Sequence, residues 1–480
     1  MRRALIPLLS LGALVLAAVT LGACIDLAPA YRRPPLPTPA AFPVGSAYAP
    51  PSATVEPVGS WRDFFADPRL KTVIAQALAN NRDLRIALAN VAAARGQYVV
   101  QRAAQFPKLD ATASATYGQT PVSALGGGAF AAGRPGVFNE RFYNVGAGVS
   151  AWQLDLFGKL RDQTRAAVDT YFATREARDA AQITLIGEVA SNWLALGSDR
   201  ALLAISRDTL ANGEATVALT RARFSSGVAS ALDVAQAETV VQQARFDVAR
   251  LTTLVAQDRN ALDLVVGAPV PDNLLPPDIE DDGVVLWRLP AGLPATVLLA
   301  RPDVVQAEDQ LRAANANIGA ARAAFFPDIS LTGSGGVTSL ALSTLFRSAS
   351  ETWTFAPTIT QPIFDFGANR GNLALARAQR DAAVATYEKA IQIAFREVAD
   401  ALAQRGTIEE QLAAQAALTA AADQAYRLSE ARYERGSDTY LNALVAQRTF
   451  YAARQSLTQT KLARATNLVA LYTRLGGGLD

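Results

Sequence analysis

The run Arg223-Phe224-Ser225-Ser226-Gly227 returns 209 residues later as Arg432-Tyr433-Glu434-Arg435-Gly436. The same offset sets Phe157-Gly158 on Phe366-Gly367, Glu188-Val189-Ala190 on Glu397-Val398-Ala399, and Gly267 on Gly476. Nearer the N-terminus the offset is 220: Asp83 of Asn81-Arg82-Asp83-Leu84 falls on Asp303 of Ala300-Arg301-Pro302-Asp303-Val304, and Gln105-Phe106-Pro107 on Phe325-Phe326-Pro327. An offset held over more than 100 residues marks a duplicated unit. The 11-residue difference lies between the Phe-Pro and Phe-Gly marks, so that interval holds a loop of variable length.

Each repeat reads as a moderate helix, two strands, a very long helix, a Gly turn and a return helix. Helical periodicity without proline runs through 159–225 and 368–434. At 1.5 Å per residue each long helix spans about 100 Å. The return helices, 231–266 and 439–475, are about 55 Å long, and the helices at 84–105 and 304–325 add about 33 Å. Two shorter helices placed end to end therefore match each long one. No compact core is that long, so projecting coiled coils are expected.

Between the helices lie four alternating segments. Residues 109–117 and 143–151 place apolar side chains at odd positions and polar ones or Gly at even positions. Residues 329–338 and 353–363 form the second pair, with Pro357 an awkward member. A half-exposed soluble sheet shares this pattern. Strands of about 9–11 residues with aromatic residues near their ends also suit a membrane barrel. Four strands cannot close a barrel, which starts at about eight, and lipid tolerates no open edge. The membrane reading therefore requires oligomerisation; a trimer would supply twelve strands and twelve helical columns.

The N-terminus favours the membrane. Met1-Arg2-Arg3 precedes an apolar run over residues 4–20, as in a signal peptide. Leu21-Gly22-Ala23-Cys24 resembles a bacterial lipobox, although an ordinary signal peptide with an incidental Cys has the same outline. In the lipobox reading residues 1–23 are removed and Cys24 is lipidated. Ile25 in place of Asp then implies export to the outer membrane. Residues 25–58 contain nine Pro and read as an extended tether.

Composition excludes most chemistry. The 480 residues include no His and one Cys, so imidazole-based nucleophile systems and His metal sites are ruled out. Ala makes up roughly a fifth of the chain, which suits long helices with close seams. A net charge of +2 does not suggest a nucleic-acid partner. No enzyme activity, cofactor or metal is expected. Asp155 and Asp365 could be read as a carboxylate pair, but strand-to-helix junctions are where Asp caps helices.

Taken together, these marks resemble the outer-membrane factors of the TolC/OprM type, close to the NodT-type efflux lipoproteins. The resemblance rests on the lipobox, Trp61-Arg62-Asp63-Phe64-Phe65-Ala66-Asp67-Pro68-Arg69-Leu70, Asn81-Arg82-Asp83-Leu84, Gln153-Leu154-Asp155-Leu156-Phe157-Gly158, and Gly292-Leu293-Pro294 with Arg301-Pro302-Asp303-Val304. It implies a mainly α fold with membrane β-structure, in which long coiled-coil hairpins join four transmembrane strands per protomer. A homotrimer would form a 12-stranded barrel in the outer membrane and a 12-helix periplasmic tunnel. The repeats would be 59–267 and 301–480, joined by a Pro-rich equatorial linker, 268–300.

The resemblance further implies passive conduction of substrates. An inner-membrane transporter, of the resistance–nodulation–division class, would deliver them through a periplasmic adaptor. A type I protein-secretion duct and a structural lipoprotein remain alternatives. The Gly turns would be the hairpin tips, with Gly227, Arg223, Gly436, Arg432 and Arg435 contacting the adaptor. Tyr433, Asp438 and Leu441 would narrow the closed pore. Family members carry an acidic ring where this chain has Asn442 and Val445, leaving Asp233 as the remaining carboxylate candidate.

Overall fold

The computed structural model describes residues 26–48, 59–121, 137–279 and 294–478. The expected signal peptide, Cys24, and residues 280–293 of the expected 268–300 linker lie outside them. The chain divides into two compact units, one comprising residues 1–33, 93–172 and 309–385, the other 34–92, 173–308 and 386–480. The helices are α1 (Trp61–Phe64), α2 (Pro68–Asn80), α3 (Arg82–Ala103), α4 (Lys159–Ser225), α5 (Ala231–Val266), α6 (Pro302–Ala323), α7 (Ala368–Glu434) and α8 (Tyr440–Arg474). The strands are β1 (Leu109–Pro121), β2 (Val137–Leu154), β3 (Asp328–Ser339) and β4 (Glu351–Thr360). The long helices α4 and α7 each have 67 residues, matching the periodicity of the sequence.

In the first unit the four strands form one antiparallel sheet in the order β1-β2-β3-β4. The two hairpins, one from each repeat, join where β2 pairs with β3. Paired residues share a face. Leu109, Val149, Gly333 and Phe355 therefore lie on one face, with Ala113, Val145, Val337, Trp353 and Ile359. The opposite face carries Asp110, Thr112, Ser114, Asn144, Ser334, Thr338 and Thr354. A bulge between Val149 and Trp152 adds one residue to β2, and Ala151 adopts φ 48° there. The bulge moves Trp152 and Leu154 onto the apolar face opposite Leu331 and Ile329, so the apolar surface continues unbroken.

Strand lengths differ from the alternation. β1 extends to Pro121 and β2 begins at Val137, because residues 118–121 pair through the backbone with residues 137–140 where side-chain alternation has ended. β4 stops at Thr360 instead of 363: the Gln361 side chain donates to Phe325 O at 3.2 Å, and Pro362 follows with no N–H to donate. Pro357 stands on this strand opposite Leu331, and β4 pairs on one side only within the chain, where a proline is tolerated. None of the strand residues whose exposure is described is buried.

Residues 26–33 are bound to the helices of this unit, not a free tether. Arg165 pairs with Asp26 at 3.0 Å, Arg322 donates to Leu27 O at 2.9 Å, and Asn315 donates to Pro29 O at 2.6 Å. The strap passes so close to α6 that a Cβ on Gly319 would lie 2.8 Å from Ala28 N. Further along, Phe42 of the second unit stacks on Phe395, with ring centroids 4.9 Å apart.

The second unit holds the main core. Trp61, Phe64, Phe65, Leu70 and Ile74 pack with Ile186, Val189, Trp193, Leu262, Val266 and Tyr472. Each fully buried large side chain contributes roughly 1.5–3 kcal/mol. Val270 and Leu275 belong to the same core, so the start of the expected linker is packed structure. The motif at residues 61–70 supplies much of this core, and Asp67 caps α2 by accepting from Arg69 N and Leu70 N.

The duplication persists at the level of single hydrogen bonds. The Asn81 side chain donates to Val265 O at 2.7 Å and accepts from Leu84 N at 2.8 Å. At the equivalent place Arg301 donates to Arg474 O at 2.6 Å, and positions 265 and 474 are themselves 209 apart. Arg301 also forks onto Asp303, at 3.0 and 2.8 Å, and reaches Glu397 at 3.1 Å. Each repeat thus ties the start of its moderate helix to the end of its return helix. Arg301→Ala removes all four bonds while its acidic partners stay partly exposed. Chemical denaturation followed by helical circular dichroism should show a loss of about 2–3 kcal/mol, with Arg301→Lys intermediate because the fork is lost.

Candidate functional site

Both Gly turns lie in the second unit and are built alike. Gly227 has φ 76° and Gly436 φ 72°, and each donates to the carbonyl three residues earlier, on Phe224 and Tyr433. Val228 N and Ser437 N close the turns on Arg223 O and Arg432 O. No atom would touch a Cβ added at either Gly. The glycines serve the left-handed backbone, and the space around them is open.

The arginines that open the two turns have diverged. Arg432 pairs with Asp438 of its own turn at 3.2 Å. The position equivalent to Asp438 is Ala229, so Arg223 has no such partner and crosses to the second hairpin instead. Its guanidinium donates to Glu434 O at 3.0 Å and Tyr433 O at 3.3 Å, and lies 4.7 Å from the Tyr433 ring centre. It therefore caps the C-terminus of α7, where a cation is favoured. The Tyr433 ring lies 5.2 Å from Tyr440, which is buried with Leu444, Val240 and Val241.

The remaining residues singled out by sequence separate into caps and exposed groups. Asp233 forms a capping box with Ser230: its Oδ2 accepts from Ser230 N at 2.8 Å while Ser230 Oγ accepts from Asp233 N at 3.1 Å. This carboxylate caps the start of α5. Asp438 accepts from Thr439 N at 2.8 Å and from the Asn442 amide at 2.7 Å. Leu441 is 51% exposed and Val445 56%, one helical turn apart on α8. Arg435 is exposed at the turn. Asp155 and Asp365 are helix caps, accepting from Arg161 N and from Gly367 N and Asn369 N respectively.

Cross-links between the hairpins are not legible as motifs. Arg448 donates to Thr239 at 2.6 Å, Arg454 pairs with Asp208 at 2.7 Å, and the Tyr451 hydroxyl donates to Asp247 at 3.1 Å. One signal could have shown the first of these: Thr239 and Arg448 occupy the same place in the two repeats, 209 residues apart.

A sheet apolar on one face, polar on the other and open at both edges, in a chain with Gly-capped helical hairpins, fits a β-barrel membrane channel protein. The chain belongs to the outer membrane efflux protein family, whose profile matches residues 73–268 and 293–477, one match per repeat. It is 44% identical over 471 residues to the toluene efflux pump outer membrane protein TtgC of Pseudomonas putida, covering 98% of this chain and 96% of that one. A solved membrane protein from Pseudomonas aeruginosa superposes with a TM-score of 0.86 at 39% identity, covering 94% of this chain and 98% of that one. The open state of the MtrE outer membrane channel of Neisseria gonorrhoeae gives 0.84 at 36% identity, covering 95% and 99%. The protein is thus an outer-membrane efflux channel, with its strands in the membrane and its helices in the periplasm.

The Asn442 amide, then the Thr439 N–H, hold the Asp438 carboxyl below its ordinary range. The stabilisation this gives the second turn is present above the unfolded pKa of about 3.9. It is lost as pH falls through the lowered folded value. Protection factors across residues 432–442, taken relative to intrinsic exchange at each pH, should therefore stay high at neutral pH and fall in strong acid, and Asp438→Asn should remove that acid-dependent step.

Proposed function

We propose that three copies of the chain close into one 12-stranded barrel and one 12-helix tunnel. The trimer passively conducts cargo that an inner-membrane transporter, of the resistance–nodulation–division class, delivers through a periplasmic adaptor. The supporting observation is the sheet. Its four strands leave the outer edges of β1 and β4 unpaired, and a barrel of identical copies satisfies both edges by pairing β4 of one with β1 of the next. A strut would have no use for the apolar and polar faces. No catalytic step enters the proposal.

Cys24, the only thiol in the chain, is proposed as the lipid attachment point, anchoring the strap at residues 26–33 to the inner leaflet of the outer membrane. The relative TtgC is named for toluene efflux, so small apolar solvents are the proposed cargo class. Deleting the gene should sensitise cells to toluene, with tolerance restored by the intact chain. Unchanged tolerance in a strain lacking other solvent pumps would reject this cargo class.

The exposed tips, with Gly227, Arg223, Gly436, Arg432 and Arg435, are proposed as the adaptor contact. A bulky residue at Gly436 costs about 1–2 kcal/mol in the left-handed region, too little to unfold the protein. Gly436→Trp should therefore form trimers on native gels yet fail to co-purify with the adaptor. Loss of the trimer would mean that Gly436 serves folding alone.

Leu441 and Tyr433 are proposed to hold the closed periplasmic end, with Asp438 fixing the turn between them. Asp233, which caps α5 with Ser230, is proposed as the first hairpin's carboxylate at this end. Leu441→Gly removes an exposed apolar side chain repeated around the threefold axis. Single-channel conductance in planar bilayers should rise, and an unchanged value would sink the gate assignment.

A further inference from the structure

The exposed face of α8 carries an unbalanced charge. Across residues 441–459 the exposed positions recur at helical spacing through Leu441, Val445, Arg448, Ala452 and Ser456. Arg448 is the sole charge on that exposed face, and no carboxylate lies on it. Other arginines of the hairpins meet acids: Arg221 meets Glu238 at 2.6 Å, Arg245 meets Glu214 at 2.7 Å, and Arg454 meets Asp208 at 2.7 Å. Arg448 instead donates to the Thr239 hydroxyl.

The groups around Arg448 do not neutralise it. The adjoining cavity, about 360 Å³, is lined by Thr209, Thr239, Gln243, Gln447 and Tyr451 along with Val240, and none is an acid. Asp247, which accepts from Tyr451, is already met by Arg250 at 3.5 Å and by the Gln243 amide at 3.1 Å. On α7, Tyr426 stacks on Phe450 beside Arg448, and the charges of that stretch are engaged among themselves, Asp423 with Arg427 at 2.9 Å and Glu430 with the Tyr426 hydroxyl at 2.6 Å. Thr239 fixes the guanidinium, so its positive charge is held in place with its remaining donors unshared among the described residues.

We propose that Arg448 makes the periplasmic constriction prefer anions, with an uncharged apolar ring at Leu441 and Val445 leading into a cationic ring. The inference rests on the gate reading, which places this face of α8 at the narrow end. A fixed charge ring in a constriction sets ion preference by raising the local concentration of the opposite charge. In bulk water, one unit charge about 5 Å from a permeating ion biases its occupancy about fourfold. Three copies add to one another at low ionic strength, where screening is weak.

Reversal potentials in planar bilayers under a KCl gradient test this on the intact trimer. Wild type should pass chloride in preference to potassium, Arg448→Gln should move the permeability ratio toward one by at least about fourfold, and Arg448→Glu should invert it. Arg448→Lys should keep the wild-type preference, and hexacyanoferrate should block wild type more strongly than Arg448→Gln. Potassium preference in wild type, an unmoved ratio in Arg448→Gln, or a Lys variant behaving like the Gln variant would each overturn the assignment. Leu441→Gly, recorded alongside, separates the two readings. Raised conductance there with an unmoved Arg448→Gln ratio rejects the cationic ring alone, whereas no response in either variant rejects the gate.

Discussion

A backbone N–H or C=O facing lipid has no water to bond with, and each unsatisfied group costs several kcal/mol. This requirement governs the chain. Its sheet has four strands, two unpaired outer edges and no buried residue among those whose exposure is described. Such a sheet has no core of its own. Its apolar face runs from Leu109 on β1 through Val145 on β2 to Trp353 on β4 and must meet lipid, while its polar face meets water. Closing the edges takes more copies, and closing them in a ring makes the polar faces into a lumen.

Duplication supplies the protomer that such a ring needs. One hairpin and one long helix, written twice, give two nearly equivalent halves. The equivalence holds at Asn81 and Arg301, which tether the ends of the return helices at Val265 and Arg474. It breaks at the tips, where Arg432 stays within its own turn and Arg223 crosses to the other hairpin. At the break, Ala229 stands where the second repeat has Asp438, so Arg223 lacks the in-turn acid that Arg432 has and lies against Tyr433 and Glu434 of the other hairpin.

Much of the fold is legible in the sequence because it depends on local periodicity. The helix limits 159–225 and 368–434, the strand alternation and the Gly turns all follow from spacing alone. Strand ends are less legible, since residues 118–121 pair through backbone bonds that side-chain pattern does not report. Residues 26–33 read as tether because proline-rich composition hides specific anchoring by Arg165, Asn315 and Arg322. At the tips, Asp233 reads as the first hairpin's carboxylate candidate, and the fold adds its capping box with Ser230.

The amino-acid order alone determined the duplication, the element lengths and the two-faced strands, because each is a periodic property of neighbouring residues. Folding settled which distant residues meet: Arg223 with Glu434, Arg448 with Thr239, and Trp193 with Leu274 at 2.9 Å. These contacts join segments far apart in the chain, where register and side-chain reach decide the partner. Sequence spacing leaves a trace of only one of these contacts, the pair Thr239 and Arg448, which occupy the same place in the two repeats.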